Sequence, residues 1–325
     1  MNTYLFSPNE VSRCIEMPEL VEEVENCFRA QYDDDSVMPP KTYVDLPQYN
    51  GDFRAMPAYV DEASGIKWVN SHTDNPAEHG LPAVMGVMIY SDPETAYPLA
   101  IMDGTRLTRL RTGAAAGVAT SYLAPEDASS VGIVGAGGQS HTQLEAMRAV
   151  RDIEEVVITD LDDEAVEEFV EREDSEDLDV RGGTPKEVCS CDIVNTVTPS
   201  REPIVRREWI SPGTHVNAMG ADAEGKQELD PEILREGFLV VDSWEQASHS
   251  GEINVSVSEG ELGREDVDGE IDEVVAGKVE VPDDAFTIFD ATGLAIQDVV
   301  TARLVYEKGK KENLGSQITL TDDEE

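Results

Sequence analysis

The segment VGIVGAGGQS, residues 131–140, leaves few folds open. It reads as a buried strand that turns on glycines into a helix beginning near Gly138. Gly135 and Gly137 permit a tight turn and let a phosphate approach the backbone. The helix start there presents unpaired N–H groups and the positive end of its dipole. A second strand, EEVVITD, follows and ends in Asp160, 25 residues beyond Gly135. A separation of about 20 is expected for the acidic residue that accepts hydrogen bonds from an adenosine ribose. Strand, glycine turn, helix, strand and terminal Asp, in that order, read as a dinucleotide-binding unit. The alternative is an ordinary βαβ turn with no ligand.

From about residue 126 onward the chain alternates strands and helices. The strands are SSVGIVGA, EEVVITD, DIVNTVT, GTHVNAMG, GFLVVD and FTIFD, and SHTQLEAMRAV and DEAVEEFVERE are helical. This alternation predicts an α/β fold with a doubly wound parallel sheet. The region before it differs. Residues 18–31 place Leu20, Val21, Val24, Cys27 and Phe28 on one helix face. The runs FRAMPAYV, GIKWVNSH, PAVMGVMIY and AYPLAIMD are strand-like, and residues 107–124 look helical. The last helix, GLAIQDVVTARLVYEKG, returns toward the first region. The expectation is a discontinuous α+β domain of residues 1–125 plus 296–325, interrupted by a nucleotide domain of residues 126–295.

Acidic residues number 68 against 24 basic ones, a formal net charge of −44. Such a chain repels nucleic acid and anionic membrane, and neither is expected as a partner. Dense carboxylates, including Asp33-Asp34-Asp35 and the tail Asp322–Glu325, fit a halophilic protein. Molar salt shrinks the screening length to roughly 3 Å. A merely acidic protein is the bland reading. No run reaches the ~18 apolar residues of a membrane span. MNTYLFSPNE lacks a basic stretch followed by an apolar run, so no signal peptide is expected. Cys14, Cys27, Cys189 and Cys191 do not look like a disulfide framework, and a lone C-x-C is a poor zinc signature. Small buried residues flanking a strand, in a reducing cytoplasm, are the expectation. The five histidines have no metal spacing and read as structural or surface residues.

Cations are scarce enough here to be informative. Lys67 lies inside an apolar strand, where it either snorkels to solvent or sits at a cleft with a lowered pKa, able to polarise a carbonyl or shuttle a proton. Arg111 starts an alanine-rich helix; its fork suits a carboxylate or phosphate, or else pairs with a surface acid. Arg54, before Met56-Pro57, offers the same choice, as does Lys41 after Pro39-Pro40. Asp222 falls just past a strand of the parallel sheet, where ligands bind in such folds; it is a general acid/base or a turn former.

Taken together the residues resemble a known family, that of ornithine cyclodeaminase, mu-crystallin and archaeal alanine dehydrogenase. The blocks are MPAYV at 56–60, GIKWVNSHTDNP at 65–76, MDGTRLTRLRTGAAA at 102–116 and GIVGAGGQSHTQLEA at 132–146. They continue with DIVNTVTPSREPI at 192–204, VNAMGADAEGKQELDPEIL at 216–234, GEINV at 251–255 and FDATGLAIQDVVTA at 289–302. The variant Gly-x-Gly-x-Gln at Gly135, Gly137 and Gln139 is typical of it. The resemblance implies a Rossmann-type domain inserted in a substrate and dimerisation domain, in a homodimer. It implies that Lys67 and Asp222 match catalytic positions and Arg111 a carboxylate-binding one. Thr112 and Asp160 match places near the nucleotide, and Thr196 and Val216 to Ala218 fall toward the nicotinamide.

Two departures bear on substrate. Where ornithine cyclodeaminase has glutamate two residues before Met-Pro, this chain has Arg54, which would repel the side-chain ammonium of ornithine and favour an anion or a short side chain. Archaeal alanine dehydrogenase also has arginine there. Lys41 stands where the family usually has arginine, giving a point charge without a fork. The expected function is NAD-dependent interconversion of a small 2-oxo acid plus ammonia, or the imine, with an L-amino acid, alanine and pyruvate foremost. Asp160, with Asp162, Asp163 and Glu164, favours NAD over NADP because carboxylates repel a 2′-phosphate. The alternatives are an ornithine cyclodeaminase, releasing proline and ammonia with bound NAD, and a mu-crystallin-like binding protein of little activity.

Overall fold

A computed structural model describes residues 1–320; the acidic tail Asp322–Glu325 lies outside the described residues. The chain forms two compact units, Met1–Arg111 with the chain from Leu294 on, and Thr112–Gly293. These divisions differ from the expected 125/126 and 295/296. One falls inside the helix Gly104–Leu123, whose alanine-rich second half belongs to the second unit.

The first unit is built on a mixed sheet. Its strands are β1 (Thr3–Phe6), β2 (Ser36–Val37), β3 (Thr42–Leu46), β4 (Gly51–Val60), β5 (Ala63–His72), β6 (Val84–Ser91) and β7 (Pro98–Asp103), with a last strand Ser316–Ile318. The order is Ser316–Ile318, β1, β7, β6, β5, β4, and both β2 and β3 pair with β4. Among the described residues of this sheet only β1 and β7 run parallel. Side chains alternate across a strand, so register decides what is buried. Met56 lies opposite Lys67, Lys67 opposite Met88, and Met88 opposite Met102. All four are buried, so Lys67 is one member of an otherwise methionine row. Arg54, two residues from Met56 on β4, shares that face.

The C-terminal helix Ala295–Glu312 packs on β4, β5 and β6 and against the helix Met17–Tyr32. The latter buries Leu20, Val21, Val24, Cys27 and Phe28, the face read from the periodicity. On the opposite face of the sheet Tyr59, Trp68 and Val87 are exposed, and Phe53 stacks on Trp68 with ring centroids 5.2 Å apart.

The second unit carries β8 (Ser130–Val134), β9 (Glu155–Thr159), β10 (Asp179–Gly182), β11 (Ile193–Thr196), β12 (His215–Ala218), β13 (Phe238–Val241), β14 (Gly269–Glu270) and β15 (Thr287–Asp290). Their order is β10-β9-β8-β11-β12-β15-β13-β14 and every pairing is parallel. Strand order reverses between β8 and β11, the position where doubly wound sheets leave a crevice beyond their strand ends. Six of these strands match the apolar runs of the sequence. The edge strands β10 and β14 escaped it, being short and largely polar. The helices Ser140–Val150 and Asp163–Glu173 cover the segments read as helical. Helix-covered strands are dry on both sides, so nearly every residue of β8, β11, β12 and β15 is buried. A Cβ on Gly132 would strike the Val188 carbonyl, which keeps that strand position glycine.

All four cysteines are free and buried; Cys189 and Cys191 lie in the hydrophobic core beside β11. Burial pushes both thiols up to about 12, so neither is a thiolate nucleophile. Among the described residues no helix is long and apolar enough to cross a membrane.

Candidate functional site

Lys67 does not snorkel. It is 1% exposed, and its Nζ lies 2.8 Å from Asp298 Oδ2, donates to Asp298 Oδ1 at 2.8 Å and donates to Thr108 Oγ1 at 3.2 Å. Arg111, also buried, donates from Nε to Asp298 Oδ1 at 3.1 Å and from Nη1 to Gln297 Oε1 at 3.2 Å. One carboxylate from the C-terminal helix therefore serves two cations, one from β5 and one from the helix Gly104–Leu123. Burial pushes the Lys67 ammonium down to about 7. The charges of Arg111 and Lys41 act in the same direction, and Asp298 opposes them.

Lys41 stands just before β3, half-buried. Arg54 is buried and committed to Asp52 by two bonds, Nε to Oδ1 at 2.9 Å and Nη2 to Oδ2 at 3.0 Å, with its guanidinium over the Tyr43 ring. The first unit thus brings Arg111 and Lys41 within electrostatic reach of Lys67, while Arg54 has a carboxylate of its own.

In the second unit Gly135 closes β8 with φ +109°, a conformation open mainly to glycine, and its N–H donates to Thr159 O at 2.8 Å. A Cβ there would lie 3.0 Å from the Thr198 methyl. Gly137 differs: a Cβ on it would meet no protein atom within 4 Å. Protein packing gives no reason for glycine at 137, whereas a ligand phosphate laid on the turn does. Gln139 is the residue before the helix Ser140–Val150. Asp160 Oδ2 accepts from Ala136 N at 2.6 Å, and Oδ1 from Asp162 N at 3.0 Å, tying the glycine turn to the end of β9. Thr112 is buried. Val216 and Ala218 have their side chains in the hydrophobic core, which leaves only their backbone to face a ligand.

Thr196, at the end of β11, donates to Glu228 Oε2 at 2.7 Å. Glu228 also accepts from Thr198 N and Oγ1 at 2.6 and 2.7 Å and from Gly220 N at 3.0 Å. Behind it Glu252 Oε1 accepts from the N–H groups of Glu228 and Leu229, and Asp290 accepts from Glu252 N. Burial raises all three carboxyls, Asp290 to about 8. Asp222 lies beyond β12 on the segment from Gly220 to Glu228, its Oδ1 accepting from Lys226 Nζ. His215 is buried between Thr287 and Asn217, and burial pushes it down to about 3, so it is neutral. Among the described residues no group of three His, Cys, Asp or Glu side chains is placed to hold a metal.

Asp298 and Glu228 were not singled out from the sequence. Asp298 had a signal: it falls among Ile296, Val299, Val300 and Ala302, all buried. A carboxylate on an apolar helix face requires a buried cation. Glu228 had no comparable mark, lying in a polar stretch.

Compared with known proteins, residues 1–313 match the model of the ornithine cyclodeaminase/mu-crystallin family. The chain is 48% identical over 320 residues to an alanine dehydrogenase of Archaeoglobus fulgidus, covering 98% of each. Among solved structures it resembles an archaeal alanine dehydrogenase dimer with bound NAD (TM-score 0.95, 47% identity, 99% of this chain and 100% of that one). It also resembles the Delta(1)-pyrroline-2-carboxylate reductase of Thermococcus litoralis in complex with NADH and L-proline (TM-score 0.93, 35% identity, 97% and 100%).

Proposed function

The chain belongs to the ornithine cyclodeaminase/mu-crystallin family, and on that footing we propose that it is an NAD-dependent dehydrogenase interconverting L-alanine with pyruvate and ammonia. The observation that carries this reading is the charge balance around Lys67. In a protein of net charge −44, two buried cations, Lys67 and Arg111, share the one carboxylate of Asp298. That excess of positive charge suits a small carboxylate substrate.

When bound, NAD supplies the hydride acceptor, and NADH the donor. The groups that would hold it are the glycine turn at Gly135 and Gly137, the N-terminus of the helix Ser140–Val150, and Asp160. Arg111 spends Nε and Nη1 inside the protein, which leaves Nη2 for the substrate carboxylate. Lys67, charged below about pH 7, donates toward the carbonyl or imine and draws its electrons away from the carbon. Asp222 exchanges a proton with water, ammonia or the imine nitrogen. Exposed Tyr59, Trp68 and Val87 support a second copy packed on that sheet face, and the archaeal relative is a dimer. The charge supports a halophilic enzyme, and the four free cysteines support a reducing, cytoplasmic compartment.

Mixing the protein with NADH, pyruvate and ammonium in molar KCl should consume NADH. Silence with this and other small 2-oxo acids defeats the proposal, and proline formed from ornithine without net change in nicotinamide absorbance would replace it with a cyclodeaminase. A second expectation concerns Gly137. G137A adds a methyl that touches no protein atom. It should leave thermal melting unchanged and weaken NADH binding about tenfold or more, roughly 1.4 kcal/mol, as measured by fluorescence titration.

A further inference from the structure

The segment between β12 and the buried Glu228 is held at three points. Glu228 accepts from Gly220 N at 3.0 Å and so fixes the segment's start. Asn254, 3% exposed, accepts from Gly225 N at 2.8 Å and donates to Lys226 O at 2.7 Å. Glu252 Oε1 takes the N–H groups of Glu228 and Leu229 at 2.7 and 2.6 Å and fixes its end. Gly225, with φ +77°, turns the chain back between them. The result sets Lys226 Nζ 2.5 Å from Asp222 Oδ1. Most surface lysine–carboxylate pairs are loose, because both side chains must give up rotamer freedom to meet. Here the backbone on the lysine side is anchored to a buried asparagine, and the lysine side chain is only 21% exposed.

We propose that Lys226 is a positioning residue for the reaction: it holds the Asp222 carboxylate in one orientation and keeps it ionised, ready to accept a proton. The inference rests on the reading of Asp222 as the acid/base group. Other charges face this segment. Glu224 is on the segment itself, Glu228 lies under Gly220, and Arg201 reaches it from the loop after β11, donating to Glu224 O at 3.2 Å. Glu224 and Glu228 oppose ionisation of Asp222. Arg201 is engaged with a backbone carbonyl, and Lys226 puts a cation on the carboxylate itself.

The test compares wild type, K226Q, K226R and D222N. Protein labelled with carbon-13 at the aspartate carboxyls is titrated without cofactor or substrate, and the signal lost in D222N identifies Asp222. The midpoint in K226Q should lie about one pH unit above wild type, with K226R close to wild type, the shift expected of losing one adjacent cation. The acid limb of kcat/KM should move by the same amount, with KM for NADH unchanged. Coincident wild-type and K226Q titrations would overturn the proposal. So would a K226Q enzyme slowed equally at every pH, the mark of a purely structural role. If wild type turns over no 2-oxo acid, the dehydrogenase reading fails, while the carboxyl titration still decides the role of Lys226.

Discussion

Asp298→Ala should cost about 3–5 kcal/mol of stability, because it strips the shared counter-charge from two buried cations. The Lys67 and Asp298 side chains are each 1% exposed and that of Arg111 7%, so water cannot replace the lost carboxylate. For a chain of this size that corresponds to a melting point lower by on the order of 10 °C. The sign of the pH dependence follows from Lys67. Its folded-state pKa already lies at about 7, below the unfolded value near 10.5. Stability therefore rises with pH between those values, as the unfolded chain holds a proton that the folded one has released. Removing Asp298 deletes the charge that raises this pKa, so Lys67 sheds its proton at lower pH in the variant. The deficit of D298A should narrow as pH climbs through neutrality. Calorimetry of both proteins one pH unit either side of neutrality checks this. D298N, which keeps the shape and an acceptor for Arg111, should fall between them; melting of D298A within 1–2 °C of wild type, roughly the scatter of a surface substitution, would show that the shared pair contributes little.

Lys67→Met should lower kcat/KM for pyruvate by roughly 10²–10⁴, the range for losing a positioned proton donor. Methionine fills the place of the lysine stem in a row already made of Met56, Met88 and Met102, and Asp298 keeps Arg111. Melting should therefore change far less than in D298A, and NADH binding should be unaffected. On the proposed role, in which protonated Lys67 polarises the carbonyl, the wild-type reductive rate should fall as pH rises through about 7. K67R, whose guanidinium stays charged, should lose that limb even if it is slower. An alkaline limb that persists in K67R would assign the titration to another group.

The second unit was more legible in the sequence than the first for a physical reason. Buried parallel strands must be continuous apolar runs, and the helices between them must carry a 3.6-residue stripe. SHTQLEAMRAV and DEAVEEFVERE coincide with Ser140–Val150 and Asp163–Glu173. In the first unit the long strands stood out, but Thr3–Phe6, Ser36–Val37, Thr42–Leu46 and Ser316–Ile318 did not. Each is short and owes its place to a partner distant in the chain or to one side of β4. Among the site residues the cations were conspicuous because a chain with 24 of them rarely puts one in an apolar segment. Asp298 was hidden by the opposite circumstance, one carboxylate among 68 acidic residues. Periodicity reports which face is inside; it does not say which polar group on that face has found its counter-ion.

The bond between Lys67 and Asp298 joins residues 231 apart. A ribosome adding about 5–20 residues per second needs roughly 10–50 s to travel from one to the other. Throughout that interval the nascent sheet must either leave the lysine's ammonium in water or hold it neutral, since the helix that neutralises it has yet to be made. The Lys67–Asp298 pair of the first unit is thus completed only after the whole second unit has been synthesised, and a messenger cut short before that helix would leave Lys67 and Arg111 without the carboxylate they share.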